Sequence, residues 1–166
     1  DYTSVNIDKN IAPDYLINVG DKIPLPDLQF ENCILFNILE HVFDWEHVLS
    51  ECYRVLKNNG CLYIIIPFSY PIHASPNDYV RATDSYLRQK LEKANFVDTK
   101  VFAIAHGPFS TAELFIIKHR YFAGIIKQTS VSFDFFIKLL FPSKVYLYTK
   151  KSPLFYYVEC TKKIAS

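Results

Sequence analysis

Asp44-Trp45-Glu46-His47-Val48-Leu49-Ser50-Glu51-Cys52-Tyr53-Arg54-Val55-Leu56-Lys57-Asn58-Asn59-Gly60-Cys61-Leu62-Tyr63-Ile64-Ile65-Ile66-Pro67 reads as a helix followed directly by a strand. Trp45, Val48, Leu49, Cys52 and Leu56 recur at helical spacing, and Asp44 stands where an N-cap belongs. Arg54 and Lys57 lie near the end of that helix, where cations suit the helix dipole. Gly60 is placed to end the connection. Cys61 to Ile66 is then the clearest strand in the chain, and Pro67 stops it.

Upstream, Asn32-Cys33-Ile34-Leu35-Phe36 is a short continuous apolar run, the pattern of a strand covered on both faces in a parallel sheet. Residues 11–29 read as loop, punctuated by Pro13, Gly20, Pro24 and Pro26. Tyr2 to Ile7 has the character of a first strand. Downstream, residues 68–82 are irregular, with Pro71 and Pro76. Thr83 or Asp84 can cap a second helix that places Leu87, Leu91 and Ala94 on one face, and Val97 to Ala105 reads as another strand. Strands alternating with helices in this way predict an α/β sheet with helices on its faces, connected by right-handed crossovers. Beyond it, 109–127 and 132–141 have helical character but are apolar almost all round, and Phe155 to Cys160 is a last strand. The spacing thus predicts an α/β core over 1–106, a helical insertion or cap over 107–152 and a final sheet strand within 153–166.

The whole chain has 166 residues, enough for one domain or one domain with a small appendage. Half of them are hydrophobic and 21% are charged, which excludes general disorder. Charge is uneven: residues 1–106 hold 9 Lys and Arg against 14 Asp and Glu, whereas 107–166 hold 9 against 3. Two surfaces with different partners are expected. No apolar run reaches the roughly 18 residues of a spanning helix, and no charged-then-apolar leader is visible. Cys33, Cys52, Cys61 and Cys160 are far apart in sequence with no C-x-x-C pair, which reads as reduced structural thiols of a cytoplasmic protein. His106 and His119 have no ligand spacing either, so no metal site is expected. There is no Met anywhere and the first residues look like a strand already under way. The expectation is a chain whose natural N-terminus is missing.

Three stretches together resemble one family. They are Ile23-Pro24-Leu25-Pro26-Asp27-Leu28-Gln29-Phe30 followed by Leu39-Glu40-His41-Val42; Glu51-Cys52-Tyr53-Arg54-Val55-Leu56-Lys57-Asn58-Asn59-Gly60; and Pro67-Phe68 with His73, Pro76, Asp78, Tyr79, Arg81 and Thr83. This set is similar to the class I S-adenosylmethionine-dependent methyltransferases of the type 11 subgroup, over about residues 2–105. The resemblance implies a Rossmann-like, mostly parallel sheet with an antiparallel last strand. The first strand–helix unit is missing from it, and a helical insertion precedes the last strand. It also implies methyl transfer from S-adenosyl-L-methionine, by in-line attack of an acceptor atom on the sulfonium methyl.

In an open α/β sheet, ligands bind beyond the carboxyl ends of the strands, so polar groups there are the candidates. By resemblance, Asn6 or Asp8 would meet the cofactor's ribose, Asp21 its adenine amino group, and Asn37 its methionine end. The family has an acidic residue where this chain has Asn6, which is a departure. A larger departure is the glycine-rich loop: the chain has four glycines and no G-x-G pattern. That loop lets backbone N–H groups approach the cofactor, so the 166 residues alone are expected to bind it poorly.

His41, beside Glu40, is either a proton acceptor or a packed residue of the turn after a strand. His73, Asp78, Tyr79 and Arg81 are either a substrate pocket, with His73 in a chemical role, or a loop that stabilises itself through an Arg81–Asp78 ion pair. The acceptor expected is a small molecule, a glycan or a lipid-linked compound. The basic, aromatic 107–152 segment is expected to form a helical cap beside the 68–82 loop that closes the acceptor site, and an exposed face ringed by Lys118, Lys127 or Lys138 would suit membrane-surface contact. Its Lys residues are too scattered for nucleic acid. The location expected is cytoplasmic, peripheral to the membrane if that face binds lipid. The competing expectation is a non-catalytic methyltransferase-like adaptor.

Overall fold

The computed structural model describes residues 2–74, 76–105, 107–109, 111–112 and 123–163, without the side chains of 123–127. In chain order the strands are β1 (Val5–Asn6), β2 (Tyr15–Leu16), β3 (Phe30–Phe36), β4 (Leu56–Pro67), β5 (Phe96–Ile104) and β6 (Phe155–Lys162). The helices are α1 (Trp45–Val55), α2 (Asp84–Lys93), α3 (Ala123–Leu140) and α4 (Pro142–Lys151). Single 3-10 turns occupy Lys9–Ile11 and Leu39–His41.

The main sheet has four strands in the order β3-β4-β6-β5. β3 and β4 run parallel, while β6 runs antiparallel to β4 on one side and to β5 on the other. β3, β4 and β5 therefore share one direction and only β6 opposes them, as expected. The expectation that residues 2–7 join this sheet is not met. β1 pairs only with β2, in parallel, through Val5 with Tyr15 and Asn6 with Leu16. β2 itself lies in the stretch expected to be loop throughout. The pairing is local: Asp14 Oδ2 accepts from both the N–H and the hydroxyl of Ser4, each at 2.7 Å.

Period-two burial explains the sheet. Leu62, Ile64 and Ile66 of β4 and Val158 of β6 are fully buried against Leu49 and Cys52 of α1 and Leu87 and Leu91 of α2. The alternate residues face the other way, where Tyr63 stacks on Tyr157 and Tyr157 on Phe102. Ile34 and Phe36 are exposed on that second face.

Both expected caps form. Asp44 accepts from the His47 N–H at 3.1 Å, and Thr83 Oγ1 from the Tyr86 N–H at 3.3 Å. At the far end of α1, Lys162 of β6 is buried and donates to the carbonyls of Tyr53 at 2.6 Å and Leu56 at 2.8 Å. A cation thus closes the negative end of the helix, though one from a distant strand.

Gly60 has a different role from the one its place suggests. It lies within β4, and Asn59 takes the left-handed turn at φ 63°. A Cβ at Gly60 would come within 2.9 Å of the Lys57 carbonyl oxygen and 3.1 Å of that of Glu31, so the close approach of β3 and β4 requires glycine there.

The break expected between two tail helices near residues 128–131 is absent, and α3 is continuous across it. Ser132 Oγ donates to the Gln128 carbonyl at 2.8 Å, so a polar residue is satisfied inside the helix instead of ending it. Most of the expected 109–127 helix, with His106, Lys118 and His119, lies outside the described residues. Asp134 of α3 is buried and accepts from the Phe109 N–H at 3.0 Å. No described helix is long and apolar enough to cross a membrane.

Candidate functional site at the carboxyl ends of β3 and β4

β3 and β4 are neighbours and end side by side, so the connections that follow them meet. After β3 the backbone turns at Asn37, whose φ is +50°, and whose N–H donates to the Ile65 carbonyl at 2.9 Å. The 3-10 turn Leu39–His41 follows, sending Leu39 into the core and burying Glu40 completely. After β4 the chain loops over this turn, and Tyr79 N–H donates to the Glu40 carbonyl at 2.7 Å.

Five side chains converge where the loops meet. Glu40 Oε1 lies 3.7 Å from His41 Nε2 and 3.7 Å from His73 Nε2, and the two imidazoles meet edge to face with centroids 5.0 Å apart. Arg81 grips both oxygens of Asp78, its Nη2 donating to Oδ2 at 2.6 Å. It also donates to the carbonyls of Tyr70, Pro71 and Val80. Asp78 Oδ2 accepts from the His73 backbone N–H at 2.9 Å.

The electrostatics differ sharply between the two carboxylates. Arg81 holds the Asp78 carboxyl down at about 2, so Asp78 is ionised. Burial pushes the Glu40 carboxyl up, against the opposing pull of the turn backbone, His41, His73 and Arg81. Neither Glu40 oxygen accepts a hydrogen bond from a described residue, and the buried Asn37 Oδ1 is in the same condition. Buried polar atoms left without partners are rare and costly. Three such atoms lie together at one end of the sheet.

Of the sequence-derived candidates, the structure gathers His41, His73, Asp78 and Arg81, with Tyr79 held by its backbone and its ring against Phe43. Asn37 is at the same sheet end. Of the alternatives for the 73–81 loop, the self-stabilising Arg81–Asp78 ion pair is present, and Asp78 also holds the His73 N–H. Asn6, Asp8 and Asp21 are not brought to this cluster by any described hydrogen bond. Asn6 Oδ1 accepts from the Asp8 N–H, Asp8 Oδ1 from Asn10, and Asp21 Oδ2 from Asn18, each closing a local turn. Sequence reasoning passed over Glu40 as a binding group. The signal for it was a carboxylate directly after Leu39 in a turn whose apolar residue must be buried.

The Glu51–Arg54 motif is a clamp, not part of the cluster. Arg54 donates to both Glu51 oxygens at 2.9 and 2.7 Å, to Asp27 at 2.7 Å, and to the carbonyls of Leu25 and Ile23 at 2.7 and 2.8 Å. Glu51 Oε2 accepts the Ile23 N–H at 2.8 Å. The helix thereby pins the 23–27 loop that leads into β3. The thiols far apart in sequence are not all apart in space, since Cys33 Sγ lies 3.6 Å from Cys52 Sγ. A cavity of about 420 Å³ lies elsewhere, on the second sheet face, lined by Tyr63, Lys100 and Glu159 among others.

The chain has the Rossmann-like fold seen in class I methyltransferases. Residues 3–64 match the family model described as a methyltransferase domain. Among curated proteins, a "probable S-adenosylmethionine-dependent methyltransferase" of Mycobacterium tuberculosis is 32% identical over 95 residues, 52% of this chain and 34% of that protein. A counterpart in Mycolicibacterium smegmatis is 29% identical over 94 residues, 52% of this chain and 36% of that protein. The chain thus spans about a third of the length of these relatives. Among solved structures, a methyltransferase of Archaeoglobus fulgidus superposes with a TM-score of 0.58 at 17% identity, covering 95% of this chain and 74% of that one. A phosphoethanolamine N-methyltransferase of Haemonchus contortus, solved with phosphomonomethylethanolamine and S-adenosylhomocysteine, gives 0.57 at 14% identity, covering 96% of this chain and 43% of that one.

Proposed function

We propose that the protein to which this chain belongs transfers a methyl group from S-adenosyl-L-methionine to a small-molecule, glycan or lipid-linked acceptor. The observation that carries this reading is the set of unpartnered buried polar atoms, on Asn37 and Glu40, at the carboxyl ends of two parallel strands. That is the ligand crevice of an open α/β sheet. The residues present fit the cofactor in part. Asn37 Oδ1 is free to accept from its methionine end, with Asp21 for the adenine and Asp8 or Asn6 for the ribose. The backbone N–H cradle of a glycine-rich loop has no counterpart in this sequence.

When bound, the cofactor supplies a sulfonium methyl that needs no further activation. The chain's own groups orient the acceptor and exclude water. His41 and His73 present ring nitrogens that can take the acceptor's proton. The test is calorimetry with S-adenosylhomocysteine on the full-length protein. Saturable binding weakened about tenfold or more by Asn37→Ala and by Asp21→Ala is the expected result. Affinity unchanged in both would remove the assignment.

A second observation favours a location. Phe135, Phe136, Leu139 and Leu140 of α3 and Tyr146 and Leu147 of α4 are exposed, and Lys138, Lys144, Lys150 and Lys151 stand exposed among them. An apolar face set in lysines suits the cytoplasmic, anionic surface of a membrane, and a lipid-linked acceptor. Co-sedimentation with anionic vesicles, fading with added salt, would support it. Equal, negligible binding to anionic and neutral vesicles would not. Lipid binding without any affinity for the cofactor would favour the non-catalytic adaptor.

A further inference from the structure

We propose that Glu40, His41 and His73 form a binding site for one divalent transition-metal ion. Their ligand atoms all lie within 4.8 Å of one another. The tautomers follow from the partners. His41 Nδ1 faces the Asn77 carbonyl oxygen at 2.6 Å, and a carbonyl only accepts, so Nδ1 carries the hydrogen. His73 Nδ1 faces the Pro71 carbonyl at 3.1 Å and Asp78 Oδ2 at 3.4 Å, so it too is the protonated nitrogen. In each neutral ring Nε2 then holds a lone pair, and both lone pairs face the same carboxylate oxygen. Three electron donors around one point repel unless a proton or a metal cation stands between them, and a metal ion engages all three at once.

The surroundings complete the case. Outer partners on Nδ1 are what orient metal-binding histidines and raise their basicity. Arg81 does not oppose a cation, because Asp78 neutralises it through a two-pronged pair. The net charge facing the site is therefore that of Glu40, which is fully buried and without a hydrogen-bond partner among the described residues. His73, 37% exposed at its side chain, supplies the entry side. Metal–ligand bonds of about 2.1 Å put neighbouring ligand atoms roughly 3 to 3.4 Å apart. The two 3.7 Å Glu40–histidine separations therefore close by a few tenths of an ångström, and the two ring nitrogens, within 4.8 Å of each other, are drawn together as the ion binds.

Two imidazoles and one carboxylate suit zinc, manganese, iron or cobalt, and not magnesium, which takes oxygen ligands and keeps its waters. Three protein ligands leave coordination positions open. On the methyl-transfer reading, on which this clause rests, those positions would take an oxygen of the acceptor and ease loss of its proton to solvent. His41 and His73 would then serve as ligands in place of proton acceptors.

Cobalt(II) is the probe, added to the full-length protein after chelator treatment, with no cofactor or acceptor present. The visible absorption of the bound ion and equilibrium dialysis are read together. The expected result is one ion per chain, with affinity at least ten- to a hundredfold weaker in each of Glu40→Gln, His41→Gln and His73→Gln. His47→Gln, outside the cluster, should bind as the wild type does, and millimolar magnesium should not displace the ion. Should Glu40→Gln fail to fold, the more exposed His73→Gln carries the test. Absence of saturable cobalt binding, or binding that survives either histidine substitution, overturns the site. Such a failure leaves S-adenosylhomocysteine affinity untouched, so it is distinguishable from failure of the methyl-transfer reading.

Discussion

Tyr79 donates its backbone N–H to the carbonyl of Glu40 at 2.7 Å, and this bond joins the connection after β4 to the connection after β3. It fixes the turn that buries the Glu40 side chain while the same loop delivers His73 and Arg81. The site is thus assembled from two loops held together by their main chains, and side-chain changes should perturb it without dismantling it. That property makes single substitutions informative here.

Arg81→Met should destabilise the fold by about 3–5 kcal/mol, because it leaves the almost fully buried Asp78 carboxylate without its cation. Urea unfolding measures this. The double variant Arg81→Met with Asp78→Asn should recover part of the loss, as expected for two groups that act as a pair. Additive losses would mean that the pair is not the unit.

Arg54→Lys should cost about 1–3 kcal/mol although the charge is kept, since an ammonium cannot reproduce the fork that holds Glu51, Asp27 and two carbonyls together. The 23–27 loop should loosen first. Limited proteolysis should show faster cleavage there, and an unchanged rate would argue against the clamp.

The Glu51 carboxyl is held below its ordinary value of 4.5 by the Arg54 guanidinium. A depressed carboxylate contributes stability that is present above the ordinary value and is lost as pH falls through the folded one. Unfolding midpoints measured from pH 7 downward should therefore fall less steeply in acid for Glu51→Gln than for the wild type. The variant should be the less stable of the two at pH 7.

The cysteines should alkylate in a defined order. Cys33 is lowered by the hydrogen bond with Cys52, whereas Cys52 is raised and burial pushes Cys160 up to about 12. Iodoacetamide followed by mass spectrometry should label the part-exposed Cys33 and Cys61 well before Cys52 and Cys160. Early labelling of Cys160 would mean that β6 opens readily.

The helix–strand unit 44–67 was legible because each of its signals is local: a cap, a helical apolar stripe, a run of β-branched residues. The same holds for Thr83 and the Leu87–Leu91 face of α2. β1 was misjudged as a main-sheet strand because two paired residues leave no periodicity to read, and its partner Tyr15–Leu16 sits among turn residues. The expected tail break failed because Ser132 finds its acceptor within α3. At the site, each of the gathered histidines was visible as a candidate, but their meeting over Glu40 was not. It depends on the path of two loops, and no spacing along the chain encodes that path. The Cys33–Cys52 approach was hidden for the same reason.

β6 stands between β4 and β5, bonded to both, yet it follows both of them in the chain. Until residues 155–162 leave the ribosome, β4 lacks its inner neighbour and β5 has none at all. The nascent chain must therefore wait, with the hydrogen-bonding edge of β4 open to chaperones or to other chains. In place, β6 joins β4 to β5, and Lys162 caps the end of α1. Closure of this sheet thus waits for residues 155–162, and a stop codon before Phe155 would release a chain in which β4 and β5 stay unjoined.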